Sequence, residues 1–119
     1  MKPDLNHFEL QAELCLALGH ATRLRMIHLL KAGPQRVNQV AEHLQINQPT
    51  ASRHLTVLRN AGLLAVHRHG TDMLYQIANP KILEVCDLMR AVLAKRESER
   101  SEILRDFAAG VSEGSPYAH

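Results

Sequence analysis

The chain has 119 residues, 45% hydrophobic and 22% charged, which suits one folded domain with its own core. Trp is absent and aromatics make up 3%, so that core is expected to be aliphatic and mainly helical. The formal net charge is only +2. Between His20 and Tyr75, however, seven Arg and Lys residues stand against Glu42 and Asp72 alone, a local +5 that leaves −3 for the rest. A basic middle between acidic ends points to a unit that binds a polyanion, held by helices with another task.

No stretch approaches the roughly 20 apolar residues of a membrane helix. The opening MKPDLNHFELQAE carries acids where a signal peptide would be basic or apolar, so a cytoplasmic chain is expected. In that compartment Cys15 and Cys86 are expected to stay reduced, without a structural disulfide. There is no CxxC, no Gly-rich phosphate loop and no nucleophile beside an evident base, which argues against an enzyme.

Leu10, Leu14, Ala17 and Leu18 recur at helical spacing and predict a first helix over about 5–18, broken by Gly19-His20. Leu24, Ile27, His28 and Leu30 mark a second helix, stopped by Gly33-Pro34. His20 and His28 are expected to cap or pack. Val37, Val40, Ala41 and Leu44 line a short third helix. After the turn Gln45-Ile46-Asn47 comes a fourth, with Asn47 as N-cap, Pro49 in the first turn and Gly62 as C-terminal glycine.

From Leu63 the period changes. Two short strands, about 65–68 and 73–77, flank a turn at His69-Gly70-Thr71-Asp72 and predict a β-hairpin. Asn79-Pro80 repeats the cap-and-proline start. Ile82, Val85, Cys86, Met89 and Leu93 then carry a last long helix, whose stretch KRESERSE is polar enough to predict fraying. Ile103, Leu104 and Phe107 either extend it or dock back, and the ending from about residue 109 is expected to be a flexible tail. The resulting layout is one domain over 1–108, with a core at about 20–78 between helices at about 5–18 and 80–96.

Short helix, turn, capped helix and hairpin in that order make a winged helix-turn-helix, mainly α with a β-hairpin wing. On a helical wheel Ala51, Leu55, Leu58 and Gly62 share one side of the fourth helix. Pro49, Ser52, Arg53, Thr56 and Asn60 lie opposite, and Gln48 and Thr50 sit at the leading end. Between Ile46 and Leu64 there are Arg53, His54 and Arg59 but no acid. An amide suited to adenine, a guanidinium suited to guanine and hydroxyls suited to phosphate make this a face for double-stranded DNA. The expected contacts are Gln48, Thr50, Ser52, Arg53, His54, Thr56 and Arg59. On the wing Arg68 and His69, with His67, would meet the backbone. Two bland alternatives share the pattern: a merely solvated helix, and a winged-helix module that binds protein instead of DNA.

The segments LGHATRLRMIHLL, VNQVAEHLQINQPTASRHLTVLRNAGLL and HRHGTDMLYQIANP resemble the ArsR/SmtB family of winged-helix repressors over about 9–93. That resemblance implies a homodimer built by the first and last helices. It also implies binding to a palindromic operator and release by a metal or a thiol-reactive effector. The positions of the family's arsenic-sensing cysteines hold Arg36, Asn38 and Ala41 here. Those of its zinc ligands hold Asn79, Lys81, Val92 and Lys95, so neither ligand set is present. Persulfide-responsive members place a cysteine in the second helix where this chain has His28.

What remains for sensing is Cys15 and Cys86, on helices that the resemblance packs together at the dimer interface. Three roles stay open for them. They are inert core thiols, a dithiol switch closed by oxidant or persulfide, or ligands with His7 for a soft ion such as arsenite. No resident cofactor is required by any of these.

Overall fold

The computed structural model describes residues 5–110. Of the tail expected from about residue 109, residues 109 and 110 are the last of a helix, and 111–119 lie outside the described residues. The elements run α1 (Leu5–Leu18), α2 (Ala21–Leu30), β1 (Gln35–Arg36), α3 (Val37–Leu44), α4 (Gln48–Asn60), β2 (Leu64–His69), β3 (Asp72–Ile77) and α5 (Lys81–Gly110). The described residues up to Leu83 form one compact unit, and those from Glu84 onward form a second.

In the first unit, α2, α3 and α4 meet around a core of Met26, Ile27, Leu30, Val40, Ala41, Ala51, Leu55 and Leu58, all buried. Ala17 and Leu18 at the end of α1 and Leu63, Leu64 and Tyr75 of the sheet region complete it. Burying a Leu or Ile in full is worth about 1.5–3 kcal/mol each, so the apolar spacing that predicted these helices also holds them together.

Polar atoms set the helix boundaries. His20 is the N-cap of α2, its ring Nδ1 accepting from the Thr22 amide at 3.1 Å. Gln39 Oε1 accepts from the Arg36 amide at the start of α3. Asn47 Oδ1 accepts from the Thr50 amide at 2.8 Å, with Pro49 in the first turn of α4, as expected from the sequence. Asn79 does the same for α5 through the Lys81 amide at 3.0 Å.

Between α3 and α4 the chain reverses at Gln45, which takes a left-handed φ of 56°. The amides of Gln45 and Ile46 donate back to the carbonyls of Glu42 and Ala41. Gly62 ends α4 at φ 80°.

The sheet holds one strand more than the sequence reading expected. β2 and β3 form the hairpin, with Val66 opposite Tyr75 and His69 opposite Asp72, turning at Gly70 with φ 66°. β1 adds antiparallel to β3, Gln35 opposite Tyr75 and Arg36 opposite Leu74, giving the order β1-β3-β2. Two residues carry no alternation, so hydrophobic period cannot reveal such a strand.

The last helix also differs. α5 runs unbroken to Gly110, through the stretch whose polarity predicted fraying. Lys95–Glu99 and Arg100–Glu97, both at 4.0 Å and spaced four and three residues apart, place opposite charges on neighbouring turns. No described helix is long and apolar enough to cross a membrane.

Candidate nucleic-acid interface

Helix α4 presents two unlike sides. Ala51, Leu55 and Leu58 are 0% exposed and face the core. Gln48, Arg53, Thr56 and Arg59 are exposed, while Thr50 and Ser52 are half-buried near the leading end. The Thr50 amide is tied to the Asn47 side chain by the N-cap. Gln48, Arg53 and Thr56 thus stand on the outer side of α4, a helix without a carboxylate of its own. A duplex carries one negative charge per about 1.7 Å of axis, so a face of this kind meets it without like-charge repulsion.

His54 behaves differently from its neighbours. It is half-buried, its ring centroid 4.5 Å from that of His20, and its Nδ1 lies 3.2 Å from Arg23 Nη1. A guanidinium only donates, so Nδ1 is the acceptor and the ring is unprotonated there. Burial holds the His54 pKa below its ordinary value, and the adjacent His20, Arg23 and Arg53 push the same way.

The wing carries Arg68 and His69, both exposed. His67 is also exposed, and its Nε2 pairs with Gln76 Nε2 at 2.7 Å across the hairpin. At the wing's far end Asp72 accepts from Arg36 Nη1 at 3.0 Å, tying the hairpin to the start of α3. The acid in the hairpin turn is thus paired with a base of the scaffold.

Sequence reasoning did not single out Arg23. Its Nε donates to Ala17 O at 2.5 Å and its Nη2 to Leu16 O at 3.2 Å, besides the contact with His54. One signal was available. The first turn of α2 holds no acid but does hold this cation, which the helix dipole disfavours there unless acceptors compensate.

The two cysteines occupy unlike environments. Cys15 is exposed on α1, in the first unit, and Cys86 is buried on α5, in the second. Burial pushes the Cys86 thiol pKa up, with Arg90 opposing and Asp87 adding to the rise. His7 is exposed on α1. Among the described residues no three His, Cys, Asp or Glu side chains converge to hold a metal ion.

The family model for bacterial regulatory proteins of the arsR family matches residues 20–66, the span from the cap of α2 into the wing. An HTH-type transcriptional regulator of Mycobacterium tuberculosis is 36% identical over 106 residues, covering 88% of this chain and 93% of that protein. The chain belongs to the ArsR family.

Solved structures agree with that placement. The crystal structure of the M. tuberculosis regulator superposes with a TM-score of 0.73 at 35% identity, covering 79% of this chain and 95% of that one. A homodimeric winged helix-turn-helix DNA-binding domain from Mycobacterium bovis gives 0.71 at 28% identity, covering 80% and 90%. The transcriptional repressor PagR of Bacillus anthracis gives 0.63 at 31% identity, covering 72% and 99%. This ArsR-family chain is accordingly a winged helix-turn-helix transcriptional regulator, in which α3 and α4 form the helix-turn-helix and β2–β3 the wing.

Proposed function

We propose that this chain is a homodimeric repressor that lays α4 of each copy into the major groove of a palindromic operator, with the wing following the adjacent backbone. The observation that carries the reading is the division of α4: Ala51, Leu55 and Leu58 sealed in the core, Gln48, Arg53 and Thr56 on an acid-free outer surface. Gln48 and Arg53 read base edges, and Thr50, Ser52, Thr56, Arg59, Arg68 and His69 hold phosphates.

Dimerisation through α1 and α5 accounts for apolar side chains that the single chain leaves in water. Leu16 on α1 is 73% exposed, and Leu88 and Val92 on α5 are 68% and 70% exposed. The homodimeric state of the M. bovis relative supports pairing of two copies. Selection of duplexes from a random-sequence pool tests the reading. It is expected to recover an inverted repeat with half-sites about one DNA turn apart. Recovery of no duplex would refute it and favour a protein-interaction module.

Release from the operator is assigned to a thiol-directed signal, an oxidant, a persulfide or a soft ion such as arsenite, acting at Cys15 and Cys86. The exposure of Cys15 supports access to such a reagent. A second reading, a repressor whose cysteines are structural, is favoured by Cys86, because a buried thiol with a raised pKa is a poor nucleophile. Intact mass and operator release after exposure to each reagent separate the two. A Cys86→Ser variant that releases as the parent does would establish the structural role.

A further inference from the structure

Arg23 occupies a junction of three elements. Its guanidinium holds the last carbonyls of α1 at Leu16 and Ala17, belongs to the first turn of α2, and meets His54 in the middle of α4. The C-terminal carbonyls of a helix are its negative end, so Arg23 is well placed against α1. Its remaining arm is bound by a ring nitrogen that can accept only while unprotonated.

We infer that Arg23 and His54 form a proton-sensitive strut between the end of α1 and the DNA-reading helix, so that acidification loosens α4 and weakens the grip on DNA. Protonation of Nδ1 removes the acceptor and sets an imidazolium against a guanidinium. The groups facing His54 offer that charge no relief. From α2 they are Arg23 and the N-cap His20, whose own Nδ1 is held by the Thr22 amide, and from α4 itself Arg53 is positive. The α1 carbonyls at Leu16 and Ala17 are already taken by Arg23.

His54 sits next to Arg53, so a shift of α4 at this point moves the guanidinium proposed to read a base. In this account His54 is a positioning residue that acts through α4, and Arg23 positions His54.

The inference rests on the DNA-binding reading above, and the test separates the two. The probe is a duplex selected by the parent chain from a random pool at about pH 8. Its affinity is measured down to about pH 5.5 for the parent, His54→Asn and His54→Gln. Both amides can accept from Arg23 and neither titrates. Any effect of pH common to all three proteins cancels in the ratio of parent to variant affinity, which is the quantity read.

The ratio is expected to fall about threefold to tenfold on acidification, within the limit of about tenfold per pH unit for one proton. Thermal unfolding at each pH confirms that all three are folded. A ratio that stays flat or rises would overturn the strut while leaving DNA binding intact. Failure to select any duplex would overturn both.

Discussion

Arg23 and His54 lie 31 positions apart in sequence, yet Nη1 of one stands 3.2 Å from Nδ1 of the other. The same guanidinium closes the end of α1 through two backbone carbonyls. A helix proposed to dimerise and a helix proposed to read DNA therefore share one side chain. Coupling between two sites needs a physical element that both can bias, and the proposed strut would supply one.

The contact has a consequence for stability as well as for binding. The folded chain holds His54 below its ordinary pKa of 6.5, so around and below that pH the unfolded chain takes up more protons. The stability it lends is complete above about pH 6.5 and is lost as the pH falls through the lower, folded value. Urea unfolding of the parent and His54→Asn is expected to diverge on acidification, the parent losing more. Parallel profiles would contradict the assignment.

Asn47→Ala removes the side-chain acceptor from the Thr50 amide at the start of α4. The expected loss is about 1 kcal/mol, read as a lower urea midpoint with unchanged slope. Asn47→Asp is expected to retain the cap.

Leu55→Ala cuts into the sealed side of α4, where the parent side chain is fully buried. The expected cost is about 2–5 kcal/mol. Thr56→Ala, one residue along on the exposed side, is expected to stay within about 0.5 kcal/mol in stability and to act on DNA affinity instead. Chemical denaturation of the two variants side by side checks the division of the helix.

Gln45 turns the chain between α3 and α4 in a left-handed conformation. Glycine takes that conformation without strain, whereas a β-branched residue there is a backbone outlier. Gln45→Gly is expected to match or exceed the parent in stability, and Gln45→Val to lose about 1–3 kcal/mol. Thermal melts of the pair decide it.

Most of this fold was legible because its elements rest on local chemistry. Ala51, Leu55 and Leu58 announced a buried stripe by spacing, and Asn47 with Pro49 announced where α4 starts. Gly70, between two apolar alternations, announced the hairpin. The missed features depend on distant partners or on length. β1 is two residues that become a strand only because β3 offers an edge at Leu74 and Tyr75.

The run Lys95–Glu102 was read as polar enough to fray, although the spacings Lys95–Glu99 and Glu97–Arg100, four and three residues apart, already set opposite charges on adjoining turns of a helix. For the candidate site, the outward set around Arg53 was readable from a helical wheel. The spacing of His54 from Ala51 and Leu58 sets it on the flank of the buried stripe, but that it meets Arg23 was not readable, since that partner lies 31 positions away.

Arg53→Ala bears on the central claim, that the acid-free side of α4 reads duplex DNA. Its side chain is exposed, so stability is expected to be unaffected. The decisive measurement is the affinity of parent and Arg53→Ala for the selected duplex and for a scrambled one, across a range of salt concentrations. Affinity of the parent is expected to fall steeply as salt rises. Arg53→Ala is expected to lose about 1–3 kcal/mol on the selected duplex and far less on the scrambled one. A variant that binds both duplexes as the parent does would contradict the account.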